Sequence, residues 1–156
     1  MMNSDIFKRI VVPLDGSRLS TQAITYAIEV GKRFEAEIIL VHVIPSPVSA
    51  MTRQITDGES PDPEDVDNAS YAKRYLMDWD QSIKAQGVKV SFEVMSGTPA
   101  KEILQLSEAQ QASLIVMMSH GYGSFKRAIM GSVADEILRH SSTPVLIIKA
   151  QNLGNK

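Results

Sequence analysis

Ser113–Lys149 reads SLIVMMSHGYGSFKRAIMGSVADEILRHSSTPVLIIK. An apolar run, Ser113 to Met118, is followed by a loop with three glycines, two cations and a closing hydroxyl, Ser119 to Ser132. Residues 132–140 then carry a helical pattern, and a small polar turn with Pro144 leads into a second aliphatic run in TPVLIIKA. Strand, helix and strand in this order predict a parallel pair joined by a crossover helix. The first of the two does not alternate, as expected of a strand covered on both faces.

Outward from this unit the pattern repeats. RIVVPL, Arg9 to Leu14, and EIILVHVI, Glu37 to Ile44, are further buried strands. Between them DGSRLS supplies turn and cap residues. A helix is predicted over 21–34, with Ala23, Tyr26, Ala27, Val30 and Phe34 on one face. Four of the seven prolines and many acids fall in the segment after Ile44, which predicts a mobile excursion over 45–63. The next helix is predicted over 64–86, its stripe being Ala69, Ala72, Leu76, Trp79 and Ile83. GVKVSFEV, Gly87 to Val94, alternates and is read as an edge strand with one wet face. Pro99 suits a helix start, where its missing N–H costs nothing.

The order β-α-β-α-β-α-β-α-β predicts an α/β fold, a parallel sheet with helices on both faces. Its 156 residues suit a single domain, 1–156, ending in a short tail at 150–156. A net charge of −2 argues against nucleic acid as the main partner. The absence of cysteine excludes disulfides and thiolate metal sites and fits a reducing compartment. The apolar run before Pro13 is too short for a signal-peptide core or a membrane span, so the expected location is the cytoplasm, with no membrane partner.

Ligands of such sheets bind beyond the carboxyl ends of the strands, where strand order reverses. The first strand ends in PLDGS and the fourth in MMSHG. Gly121 follows a strand, and Gly131-Ser132 opens a helix whose N–H groups suit an anion. Lys126 and Arg127 add charge, and Asp15 offers an acceptor to an adenine amino group or a ribose hydroxyl. Plainer roles fit the same residues. Ser132 with Asp135 resembles a capping box, Gly121 and Gly123 fit a turn, and Asp15 and Ser17 fit a turn or a cap. At this level both readings stand.

Taken together, RIVVPLDGS, LVHVI, GTPAKEIL and above all GSVADEILRHSSTPVLIIK resemble the universal stress protein family over nearly the whole chain. The resemblance implies a five-stranded parallel sheet of order 3-2-1-4-5, Rossmann-like and adenine nucleotide alpha hydrolase-like. The family's nucleotide-binding branch carries G-x2-G-x9-G-[ST] after the fourth strand. Here Gly121, Gly131 and Ser132 match it, while Met118 stands at the first glycine. Pro13, Leu14, Asp15, Ser17, Val43, Met117, Met118, Ser119, His120, Gly121, Gly131, Ser132 and Val133 are the nucleotide-binding positions so implied. Val43 and Met117 would offer apolar surface to a base, although apolar residues in central strands are core by default.

The implied protein is a stress-response regulator that binds ATP, ADP or AMP, with or without magnesium, and acts as a homodimeric switch. Its second subunit would pair along Val145 to Lys149. The alternative is the family's other branch, a homodimer that binds no nucleotide and works through protein contacts; Met118 points there. No catalytic role is assigned. His42 is read as a core histidine, His140 as a cation at a helix end, and only His120 lies near the crevice. Its neighbour Ser119 does not by itself make a triad, and no G-x-S-x-G elbow is present. Slow ATP hydrolysis is compatible with this reading.

Overall fold

A computed structural model describes residues 6–45, 69–120 and 130–149. In chain order the elements are β1 (Arg9–Pro13), α1 (Gln22–Phe34), β2 (Glu37–Pro45), α2 (Ala69–Lys84), β3 (Val90–Gly97), α3 (Pro99–Ala109), β4 (Leu114–Met118), α4 (Ser132–His140) and β5 (Val145–Ile148). The strands form one sheet of order β3-β2-β1-β4-β5, and every pairing is parallel. The expected strand order and the edge position of β3 are therefore both present.

Alternation along each strand sorts the core into two layers. Ile10, Val12, Ile38, Leu40, Leu114, Val116 and Met118 pack with Ala23, Ile24, Ala27 and Ile28 of α1 and Leu76 and Ile83 of α2. Val11, Ile39, Val41, Val43, Ile115 and Met117 pack with Ala100, Ile103 and Leu106 of α3 and Ala134 and Ile137 of α4. Each fully buried Val, Ile or Leu contributes about 1.5–3 kcal/mol of transfer free energy, so the central strands anchor both layers.

Several boundaries and faces differ from expectation. Tyr26 is 41% exposed, because the buried stripe of α1 runs through Ala23, Ile24, Ala27, Ile28 and Gly31 instead. Gly31 belongs to that stripe for a steric reason: a Cβ there would lie 3.0 Å from Val88 Cγ1. Phe34 leaves the main layer and meets Phe7 edge-on, with ring centroids 5.0 Å apart. Ala69 is exposed, and Asp80 takes a buried place on α2, paired with Lys84 at 2.7 Å. The edge strand starts at Val90 rather than Gly87, since Gly87 turns the chain at φ +81°. Pro45 closes β2 and so belongs to the sheet. The rest of the expected excursion, the start of the second predicted helix and the tail at 150–156 lie outside the described residues.

Candidate functional site

The two inner strands part company early. β1 pairs with β2 from Arg9 to Pro13, and β4 pairs with β5 from Ile115 to Met118. Between β1 and β4 only Ile10–Leu114 and Val11–Ile115 are paired. Pro13 has no N–H to give, and the next amide, that of Leu14, turns to Val41 O on β2 at 2.8 Å. A crevice therefore opens between the carboxyl ends of β1 and β4, at the point where strand order reverses.

On the β1 side the chain folds back on itself. Gly16 has φ +89°, a conformation that side chains disfavour. The Asp15 carboxylate accepts hydrogen bonds from Ser17 N, at 2.9 Å, and from Ser17 Oγ. Ser17 Oγ in turn accepts from Ser20 N at 3.1 Å, and Ser20 Oγ donates to Ser17 O at 2.9 Å. The turn-forming role read for Asp15 is thus the geometry present here, whereas Ser17, read as a helix cap, lies in the turn ahead of Thr21, the N-cap of α1. His42 is buried, with Nδ1 donating to Leu14 O at 2.8 Å.

On the β4 side Ser119 uses every group it has. Its N–H donates to Ile148 O at 2.8 Å, and its carbonyl accepts from Gly131 N at 2.7 Å. Its Oγ lies 2.9 Å from His120 Nδ1. Through Gly131 the start of α4 is tied to the end of β4. Gly131, not Ser132, is the N-cap, and no side chain caps the helix. The capping-box reading of Ser132 and Asp135 therefore fails: Ser132 is already helical and exposed, and Asp135 pairs with Arg139 at 3.0 Å.

The implied site residues divide between the two layers. Val43 and Met117 lie in the α3 and α4 layer, with Val133 packed against it. Leu14 and Met118 lie in the other. Pro13, Asp15, Ser17 and Gly131 are half-buried, and Ser119 and His120 are buried. Gly121, Gly123, Lys126 and Arg127 lie outside the described residues. Met118 is 4% exposed and points away from Val43 and Met117, so it fills core and not the α4 side of the crevice.

Sequence reading missed Tyr75. Its phenol comes from α2 and sits beside the first loop. Burial pushes it above its ordinary pKa of 10.0; the Asp15 carboxylate adds to the rise, while the nearby Ser20 and Trp79 oppose it. Ser20 Oγ is already committed to Ser17 O, and the buried phenol oxygen makes no hydrogen bond of good geometry. Nothing in the helical pattern of α2 marks this position, because it depends on how the helix docks. An unpaired buried hydroxyl costs about 1–3 kcal/mol. Tyr75→Phe is accordingly expected to leave thermal stability unchanged or raise it by up to about 1 kcal/mol. A clear fall in the melting midpoint would show that the hydroxyl has a partner.

Among the described residues no cluster of three or more His, Asp or Glu suits a metal ion, and no helix is long and apolar enough to cross a membrane.

Comparison with known proteins agrees with this architecture. Residues 6–149 match the model of the universal stress protein family. Universal stress protein MJ0531 of Methanocaldococcus jannaschii is 32% identical over 151 residues, covering 93% of this chain and 84% of its own. The solved structure of MJ0577 superimposes with a TM-score of 0.76 at 25% identity, covering 94% of this chain and 99% of the other. A universal stress protein from Archaeoglobus fulgidus, solved in complex with dAMP, shares the fold with a TM-score of 0.65 at 22% identity, over 92% of this chain and 99% of the other.

Proposed function

The chain belongs to the universal stress protein family, and on that premise we propose that it binds ATP or a related adenine nucleotide and acts in the cytoplasm as a nucleotide-dependent homodimeric switch. The observation that carries the reading is the early parting of β1 and β4, with Asp15 on one lip and the uncapped start of α4 on the other. The dAMP complex of the Archaeoglobus relative supports the choice of ligand class.

The residues present suit such a ligand. Val43, Met117 and Pro13 would offer apolar surface to adenine. The Asp15 carboxylate would exchange its bonds to Ser17 for the base or the ribose. Amides at Gly131, Ser132 and Val133 would face the phosphates, whose charge the helix dipole favours. Any magnesium would be held through the phosphates, since the described residues assemble no metal site of their own. None of these groups is assigned a bond-breaking step, so the protein is proposed as a binder and not an enzyme.

Switching requires that ligand and partner prefer the same state. The second subunit is proposed to pair along β5, an edge strand on which Leu146 is 38% exposed. Neither nucleic acid nor membrane enters the proposal.

Native mass spectrometry of the purified protein tests both parts together, with a dimer carrying an adenine nucleotide expected. ATP at 100 times its dissociation constant stabilises the fold by about 2.7 kcal/mol. That corresponds to a rise of about 5–10 °C in the melting midpoint. A nucleotide-free dimer with no shift at millimolar ATP and magnesium would favour the second reading, an interaction protein that binds no nucleotide. Met118, buried where the nucleotide-binding pattern has glycine, is what favours that alternative.

A further inference from the structure

We propose that the furrow between α3 and α4 is a docking site for an extended segment of a partner protein, one that carries an acidic and a basic side chain three residues apart. The site lies on the outer surface of the helix layer and does not depend on the nucleotide reading.

Each of these helices leads from one strand of the parallel sheet into the next, so the two run side by side in the same direction. They share the core layer of Ala100, Ile103, Ala134 and Ile137. Outside that layer the surface dips into an open furrow of about 380 Å³. Its size falls within the range of about 300–1,000 Å³ usual for binding sites. Lys101, Leu104, Gln105 and Glu108 form the α3 bank, and Glu136 and His140 stand on the α4 bank. Leu104 is the apolar member of the lining and is half-buried.

Four of these side chains are ionisable, yet Lys101, Glu108, Glu136 and His140 form no ion pair or side-chain hydrogen bond among the described residues. The side-chain amide of Gln105 is likewise unengaged there. On α3 the charges are also set against the helix itself. Lys101 stands in the first turn, at the positive pole of the helix dipole, and Glu108 in the last, at the negative pole. Glu102, the acid that suits the first turn, lies against Gly97 and outside the furrow. The free protein gains no stability from this arrangement, and local rules are broken most often at functional sites. An anion brought to Lys101 and a cation brought to Glu108 satisfy the side chain and the helix pole together.

The spacing selects the occupant. From Lys101 to Glu108 the helix rises by about 10 Å. That is too far for one amino acid to bridge. It matches three residues of extended chain, about 9 Å in the polyproline II conformation. Such a chain has three residues per turn, so side chains three apart leave it on the same side. Its backbone makes no internal hydrogen bonds, and Gln105, between the two charges, offers both a donor and an acceptor. A helical occupant would arrive with its backbone already paired and would leave Gln105 idle. Leu104 gives the intervening residues an apolar contact. Glu136 adds a second carboxylate from the other bank, which makes the basic side chain of the segment its stronger anchor.

The capped peptide Gly-Glu-Pro-Pro-Lys-Gly carries the required pair, with two prolines that favour the extended form. Titrated to millimolar concentration into protein labelled with nitrogen-15, it is expected to shift the amides of 98–108 and 136–140 and to leave those of β1 and β2 unmoved. The neutral peptide Gly-Gln-Pro-Pro-Gln-Gly is expected to shift none of them. Lys101→Glu and Glu108→Lys are each expected to weaken binding by about 2–30-fold, the factor for turning an exposed attraction into a repulsion. Both variants are expected to keep or raise the melting midpoint, since each new charge agrees with its helix pole. The double variant is expected to regain binding, with the peptide turned end for end. Absence of shifts overturns the site, as do equal shifts with the neutral peptide or binding that both single reversals leave intact. Self-association of the protein that Glu108→Lys abolishes would give the furrow to a second copy of the chain and overturns the proposal as well.

Discussion

Met118→Gly, the change that restores the family's first motif glycine, is expected to destabilise the protein by about 3–5 kcal/mol. Met118 is 4% exposed and belongs to the layer that includes Leu14, Ile24, Val116 and Ile148. Removing its side chain opens a cavity there, and glycine adds backbone entropy within a central strand. For a chain of this length the loss lowers the melting midpoint by about 10 °C. The expected gain in nucleotide affinity is small by comparison, because Met117 and not Met118 faces the layer shared by Val43 and Val133. Denaturant melts with and without ATP separate the two effects. A midpoint that hardly moves, together with a large rise in affinity, would show that the methionine reaches into the crevice and blocks it. The branch that binds no nucleotide would then be the better home for the wild-type chain.

The direction of Met118 marks a general boundary in what the sequence discloses. SLIVMM announces a strand buried on both sides, and RIVVPL and EIILVHVI do the same, so element order and sheet type follow from composition and spacing. An all-apolar strand does not say which residues face which layer. That assignment waits on register, and it decides whether Met117 or Met118 borders the ligand. The stripe of α1 shows the same limit: Tyr26 fits the helical period, but the sheet takes Ile24 and Ile28. Caps are also settled by neighbours. Ser132 has the chemistry of an N-cap, yet the bond between Gly131 and Ser119 makes Gly131 the cap and draws Ser132 into the first turn. Residues that meet only through tertiary docking, such as Tyr75 beside Asp15, leave no mark in local pattern. Ser119 and His120 were visible as neighbours, but the unpaired Nε2 of His120 was not, since it depends on what the fold withholds from the ring.

Ile137→Ala is expected to cost about 2–5 kcal/mol and to weaken nucleotide binding at a distance. The reason lies in how little holds α4 in place. It has nine residues, well short of the ~12–15 at which an isolated helix becomes even marginally stable in water. Only Ala134 and Ile137 are buried along it, and Ile137 is fully so. The Asp135–Arg139 pair is solvent-exposed and contributes at most about 0.5 kcal/mol. At the far end Arg139 and His140 complement the helix dipole, again by a fraction of a kcal/mol. Ile137 is therefore the deepest attachment of the helix to the core layer it shares with α3. Truncating it frees the helix to tilt or fray, and the amides at its start no longer share a fixed direction. Hydrogen exchange over 132–140 is expected to accelerate more than exchange in β1 or β4, and ATP affinity to fall by at least about 10-fold, although Ile137 itself would touch no ligand. The decisive comparison is between the helix and the sheet. Should exchange rise equally in both while affinity per folded molecule stays at the wild-type level, α4 owes its position to other contacts, and the phosphate-binding end of the crevice is held more firmly than its two buried residues suggest.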